Sequence, residues 1–254
     1  MIGKREGCHL EPRLAAVEEL VPERSVVADV GTDHALLAVR LVESGRAARC
    51  IATEPRLERL SKAARNVSAS PARDRIELRS GSGLEPVAMG DRVTVIVIAG
   101  LGGHAIRRIL DGPRLAALAP GRLVLQPQTA PAVVRAFLVA AGYRVVDERL
   151  VLDRGRFYAV VAAEPGAEHL RHPSLSREDL LEAGPRLVLS GSEIVARYWR
   201  GELERSRRIL DRAAGARPGR GRDAALRRAA LAGRVLRAIG ETATGPVARS
   251  SAGR

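Results

Sequence analysis

Cysteine is almost missing from this chain of 254 residues: Cys8 and Cys50 are the only two. Two thiols cannot build a disulfide framework or a multi-cysteine metal site, so a reducing compartment and no bound metal are expected. Aromatic residues are scarce, at 2 %. The apolar fraction of 46 % is near the globular average, so any core must be built from Leu, Val, Ile and Ala. No apolar run is long enough to span a bilayer, and the charged stretch Met1 to Pro22 lacks the apolar centre of a signal peptide. These absences predict a soluble, cytoplasmic protein with no membrane partner. Nothing in the pattern specifies an oligomer, which favours a monomer.

Lysine is also nearly absent, with only Lys4 and Lys62, and every other basic residue is Arg. A base-composition bias in the gene explains Arg over Lys, but not where the charge sits. The net charge is +13, yet from Arg197 onward there are 15 Arg against 5 acidic residues, and before it 27 basic against 24 acidic residues. The excess therefore belongs to the last quarter of the chain. A patch of that kind favours a polyanion such as nucleic acid, because neutralised phosphates release counterions.

Leu10, Leu14, Val17 and Leu20 have helical spacing, closed at Pro22. Strands are then predicted at Ser25–Val30, Cys50–Thr53, Arg75–Arg79, Val93–Ile98 and Arg122–Gln126, and a hairpin at Tyr143–Leu152 and Arg156–Ala163. Helices are predicted between them at about Ala35–Ser44, Leu57–Val67, His104–Leu110 and Pro131–Ala141. Alternating strands and helices, with strands apolar on both faces, argue for an α/β fold with a parallel sheet, and the hairpin adds an antiparallel member. Composition shifts at Glu164-Pro-Gly166 and His172-Pro173, which read as a linker. Beyond it two helices, Ser192–Ala213 and Asp223–Ile239, are joined by a turn at Arg217–Arg222. Their apolar points are Ile194, Tyr198, Leu203 and Leu210 on one, and Leu226, Ala230, Val235 and Ile239 on the other. The expected organisation is a sheet domain over 1–165, a helical extension over 174–240 and a disordered tail over 241–254.

Four segments carry chemistry. Asp29-Val-Gly-Thr-Asp-His-Ala35 joins the first strand to its helix, and Gly31 lets the backbone turn tightly beside a ligand. Asp33 would repel a pyrophosphate, whereas the sulfonium and ammonium of S-adenosylmethionine fit an added carboxylate. Thr32 or Asp33 acting only as a helix N-cap is the other reading, and spacing leaves both open. Glu54 ends the second strand, where such folds place a carboxylate that accepts ribose hydroxyls. Ala99-Gly-Leu-Gly-Gly103 closes the fourth strand; glycines there predict a pocket lined by backbone, or else a tight strand-to-helix turn. His104 reads as a helix-start residue. Gln126-Pro127-Gln128 ends the fifth strand, and its amides can pair with the edge of a base.

These segments in this order resemble the bacterial tRNA (adenine-22-N1)-methyltransferase family. The resemblance rests on Arg13-Leu14, Val21-Pro22, Ala28–Ala35, Ile98–Gly103, Leu125-Gln-Pro127, Ala141-Gly-Tyr143, Val146-Asp-Glu148, Ala163-Glu-Pro165, Gly184-Pro185 and Tyr198-Trp199. It implies a Rossmann-like class I methyltransferase sheet with a C-terminal, coiled-coil-like helical extension, S-adenosylmethionine as cofactor and transfer RNA as substrate. On that basis Asp29, Gly31, Thr32, Glu54, Ser82, Gly83, Ala99 and Gly100 hold the cofactor. Asp33 faces the cationic product base, His34 shapes the pocket, and Gln126 and Gln128 place the adenine. Arg197, Arg200, Arg207 and Arg208 grip phosphates. The chain departs from the family at Leu36 and Ala38 (usually Tyr and Pro), Ser82 (usually Asp), Gln128 (usually Asn) and Ala183 (usually Phe). The Ser82 and Gln128 changes motivate two alternatives: another RNA or a small molecule as substrate, or a non-catalytic RNA-binding protein on the same fold.

Overall fold

The computed structural model describes residues 10–213 and 219–243. It divides into two compact units, Met1–His169 and Leu170–Arg254. Cys8, the start of the Arg217–Arg222 turn and residues 244–254 of the expected tail lie outside the described residues.

The N-terminal unit opens with α1 (Pro12–Leu20) and then alternates β1 (Ser25–Val30), α2 (Leu36–Glu43), β2 (Ala47–Glu54), α3 (Leu57–Ser68) and β3 (Ile76–Ser80). It continues with β4 (Val95–Leu101), α4 (Gly103–Leu110), α5 (Pro113–Leu118), β5 (Arg122–Pro127), α6 (Pro131–Ala140), β6 (Tyr143–Asp153) and β7 (Arg156–Pro165). The seven strands lie in the order β3-β2-β1-β4-β5-β7-β6. All pairs are parallel except those of β7, which runs antiparallel to β5 and β6. The expected mixed α/β sheet is therefore the observed one. The sequence reading missed α5, which Pro113 at its first turn after Gly112 starts, and the two short helices Arg177–Ala183 and Pro185–Ser190 of the C-terminal unit.

The period of two in β4 decides how the sheet is buried. Val95 and Val97 join the apolar cluster that holds Val17, Leu41, Ala63 and Val67 of α1, α2 and α3. Ile96 and Ile98 join the opposite cluster with Ile106, Leu110, Val134 and Leu138 of α4 and α6. Each such buried aliphatic side chain stabilises the fold by roughly 1.5–3 kcal/mol, so two helical layers can be held with few aromatic residues, Tyr143 and Phe137 both on the second face. The strand order changes direction between β1 and β4, and in open α/β sheets the crevice at that switch point receives ligands. α1 packs against β4, β5, β6 and β7, which brings its first residues to this crevice.

The C-terminal unit contains α7 (Arg177–Ala183), α8 (Pro185–Ser190), α9 (Glu193–Arg212) and α10 (Arg220–Ala243). The Ser176 hydroxyl accepts from the Asp179 N–H to cap α7, and Arg234 of α10 pairs with the Asp179 carboxylate at 2.6 Å. The expected apolar stripes are shifted. Val195, Trp199 and Ser206 form the buried face of α9, with Ile194, Tyr198, Leu203 and Leu210 on its flanks. On α10, Val235 and Ile239 are buried as expected, but Leu226 and Ala230 are exposed, and Ala225, Leu231, Ala232 and Ala238 are buried instead. Arg228 explains the shift: its guanidinium stacks 4.6 Å over the buried Trp199 ring while donating to Glu202 and to the Tyr198 hydroxyl, each at 2.7 Å. α10 also runs through Gly240 to Ala243, past the expected start of the tail. Among the described residues, no helix is long and apolar enough to cross a membrane, and no group of three or more His, Cys, Asp or Glu could hold a metal.

Candidate active site

At the carboxyl end of β1 the backbone enters a loop with unusual geometry. Gly31 has φ +76°, and Asp33 and Ala35 also take positive φ, at +54° and +57°. Left-handed backbone costs a non-glycine residue about 1–2 kcal/mol, so the surrounding bonds must hold the loop. The Gly31 and Thr32 N–H groups both donate to the Thr53 carbonyl, at 2.9 and 3.0 Å. Asn66 of α3 donates to the His34 carbonyl at 2.8 Å. Neither Thr32 nor Asp33 caps α2, which corrects that reading. Ala35 is the N-cap residue and makes no side-chain cap bond, while the Thr32 hydroxyl donates to Asp29 at 2.5 Å.

Asp29 is buried, and burial pushes its carboxyl up to about 6 against the opposing effect of the Thr32 bond. Behind it lies Cys50, whose thiol burial pushes well above its ordinary value. Asp33 is half-buried and stands between the Arg59 guanidinium of α3 at 3.2 Å and the His34 ring at 3.7 Å.

The opposite wall is the end of β4. This strand does not stop at Ile98 but runs to Leu101, with Gly100 (φ +80°) left out of the register with β5 as a bulge. The Gly100 N–H donates to Gln126 Oε1 at 3.1 Å. The same oxygen accepts from Arg13 Nη1 at 3.3 Å, and Gln126 Nε2 donates to the Pro127 carbonyl at 3.1 Å. Gln126 is fully buried with its amide engaged on both sides, so it holds the bulge and does not reach a base directly; this corrects its expected role. Gln128 is exposed and lines the cavity. Gly102 and Gly103 are also corrected. They serve close packing on the loop before α6, where a Cβ on Gly103 would stand 2.3 Å from the Ala130 carbonyl oxygen. His104 is exposed in the first turn of α4, away from the cavity lining.

Between the two walls lies a cavity of about 530 Å³, bounded by Asp29, Gly31, Thr32, Asp33, His34, Ala99, Gly100 and Gln128. That volume lies within the range of small-molecule sites. Glu54, Ser82 and Gly83 are outside this lining. Glu54 is buried and accepts from the backbone N–H groups of Asp33 and Arg56, so it braces the loop; Ser82 is exposed beyond β3. The sequence reading missed Glu11 and Arg13 of the α1 region, Arg59 and Arg154. The Arg13-Leu14 pair was the one signal that could have pointed to them. In the C-terminal unit, Arg197, Arg200, Arg207 and Arg208 are all exposed on α9, and Arg200 is engaged by Glu193.

The model of the family "TrmK: tRNA (adenine(22)-N(1))-methyltransferase" matches residues 27–238. The chain belongs to the tRNA (adenine(22)-N(1))-methyltransferase family. A Bacillus subtilis family member of that name is 31 % identical over 202 residues, covering 80 % of this chain and 84 % of the relative. Streptococcus pneumoniae Sp1610, solved in complex with S-adenosyl-L-methionine, superposes with a TM-score of 0.78 at 30 % identity, over 90 % of this chain and 100 % of the other. The crystal structure of the B. subtilis M1A22 tRNA methyltransferase TrmK gives 0.76 at 28 % identity, over 92 % and 98 %.

The donor set fits this family's methyl donor. Asp29 and Asp33 offer carboxylates to a sulfonium and an ammonium group, and Gly31, at φ +76°, gives the backbone the left-handed turn that sets this wall. The same pair of carboxylates would repel a pyrophosphate.

Proposed function

We propose that this protein is a cytoplasmic transfer RNA methyltransferase that methylates N1 of the adenine at position 22, using S-adenosylmethionine. The observation that carries the reading is the crevice between β1 and β4, with Asp29, Gly31 and Asp33 on one wall and Gly100 and Gln128 on the other, in a chain of this family. Bound there, S-adenosylmethionine supplies an electrophilic methyl group.

Adenine N1 carries a free lone pair at neutral pH, so no residue need remove a proton before attack. The protein's task is positioning and electrostatics. Asp29, Gly31, Thr32, Ala99 and Gly100 line the donor's place, while Glu54 holds the loop from behind. Asp33 favours the positive charge that develops on the base, and Arg59 fixes its carboxylate. Gln128 presents an amide to the base edge, and His34 shapes the pocket beside it. The base must leave its stack to enter. Arg197, Arg200, Arg207 and Arg208 hold transfer RNA phosphates without reading sequence. The sheet domain over 1–165 carries the chemistry and the helical extension over 174–240 the RNA grip; the protein acts as a monomer without a metal.

The test is methyl transfer from labelled S-adenosylmethionine to unmodified transfer RNA, followed by nucleoside mass spectrometry and position mapping. The expected product is 1-methyladenosine at position 22. A protein that binds the cofactor yet methylates no transfer RNA refutes the substrate.

A further inference from the structure

The β6–β7 hairpin reaches beyond the rest of the sheet. β5 pairs with β7 only from Leu123↔Ala163 to Leu125↔Val161. β6 and β7 stay paired all the way to Asp153↔Arg156. The turn therefore projects past the carboxyl ends of the parallel strands, on the side where the cavity opens. Arg154 lies at its tip and lines the cavity, with its side chain 81 % exposed.

Arginine is a poor choice for this turn. Arg154 and Gly155 are its two central residues, with φ +48° and +76°. Two-residue turns of this kind select Asn, Asp or Gly at both positions. Arg at the first accepts the left-handed penalty that Asn or Gly would avoid, and such violations concentrate at functional sites.

Its ion pair is built to exchange. Arg154 Nη2 meets Glu11 Oε1 at 2.6 Å. The other oxygen of Glu11 is held twice by Arg13, from Nε at 3.1 Å and Nη2 at 2.7 Å. Arg13 is itself fixed by Asp153 at 3.3 Å and by Gln126. If Arg154 swings away, Glu11 keeps a cationic partner and no buried charge is stranded. With Arg156 also exposed beside the turn, this rim carries more positive than negative charge.

We propose that Arg154 releases Glu11 to bind the backbone phosphate next to the nucleotide whose base enters the cavity. The inference rests on the RNA-methylation reading above and adds to it a phosphate contact at the mouth of the active site. A flipped base drags its phosphate to the rim, and a guanidinium fork suits that group.

The test compares full-length wild-type protein with Arg154→Asn, Arg154→Lys and, as a control at the other edge of the sheet, Arg73→Ala. Asn suits the turn, so Arg154→Asn should not lower the melting temperature. It should raise the Kd and KM for unmodified transfer RNA about 5–10-fold, flatten the dependence of log Kd on log salt by about 0.7–0.9, and leave S-adenosylhomocysteine affinity unchanged. Arg154→Lys should recover part of the loss, and Arg73→Ala should behave as wild type. Unchanged transfer RNA affinity and salt slope in Arg154→Asn would overturn the proposal. So would a parallel loss of S-adenosylhomocysteine binding and stability, which would make Arg154 a structural brace. If the wild type methylates no transfer RNA but its RNA binding still depends on Arg154, the phosphate contact stands and the methylation reading falls. If the wild type binds no transfer RNA, both fall.

Discussion

Replacing Asp29 by Asn should stabilise the unliganded protein and weaken its hold on the cofactor. The side chain is buried, and burial pushes its carboxyl from the ordinary 3.8 up to about 6. A raised acid is one the folded state prefers to keep protonated. The stability supplied by the protonated form is complete below about pH 3.8 and is lost as pH rises through about 6. Above that the native state carries the full penalty of an ionised buried carboxylate. The gap corresponds to about 3 kcal/mol as an upper bound. Asn keeps an oxygen for the Thr32 hydroxyl, which donates to Asp29 at 2.5 Å, but carries no charge. Its advantage should therefore be near zero at pH 4, grow between pH 4 and 6, and level off at about 1–3 kcal/mol by pH 7.5. Urea unfolding of both proteins across that range measures it. In the same samples, calorimetry should show S-adenosylhomocysteine binding weakened about 10-fold, because the ammonium loses a charged acceptor. An advantage that is absent at pH 7.5, or equal at pH 4 and pH 7.5, would refute the argument from burial.

Asp33→Ala should abolish turnover and leave the fold intact, since the side chain is half-exposed at the cavity; a near-normal kcat with 1-methyladenosine as product would remove Asp33 from the mechanism. Gly103→Ala should lower stability by roughly 1–3 kcal/mol despite alanine's better helix propensity, because its Cβ would stand 2.3 Å from the Ala130 carbonyl oxygen; thermal unfolding no worse than wild type would show that the loop yields. Exchanging Arg207 and Arg208 together for Ala should weaken transfer RNA binding and reduce its salt slope by roughly 1.5–2, with S-adenosylhomocysteine binding unchanged; an unaltered slope in filter binding would place the RNA elsewhere.

The seven strands and most helices were legible in the sequence because their signal is local. Val95 to Ile98 is apolar at every position, which suits a strand covered on both faces, and Gly31 marks where the chain leaves β1. The loop residues Asp29 to His34 could be nominated for the same reason. Contacts between distant residues left no such trace. Gln126 looked like a base reader, yet Arg13, 113 positions away, and the Gly100 bulge engage its amide. Glu11 and Arg154 are likewise remote in sequence and meet only because α1 packs under the β6–β7 hairpin. In the C-terminal unit the apolar spacing announced two helices, but the stacking of Arg228 on Trp199 chose which face of α9 is buried. Periodicity and turn chemistry act within a few residues and determined the elements, their order and the loop after β1. Which polar groups face the cavity was decided by tertiary packing, because a side chain's free hydrogen-bonding capacity depends on every neighbour the fold brings to it.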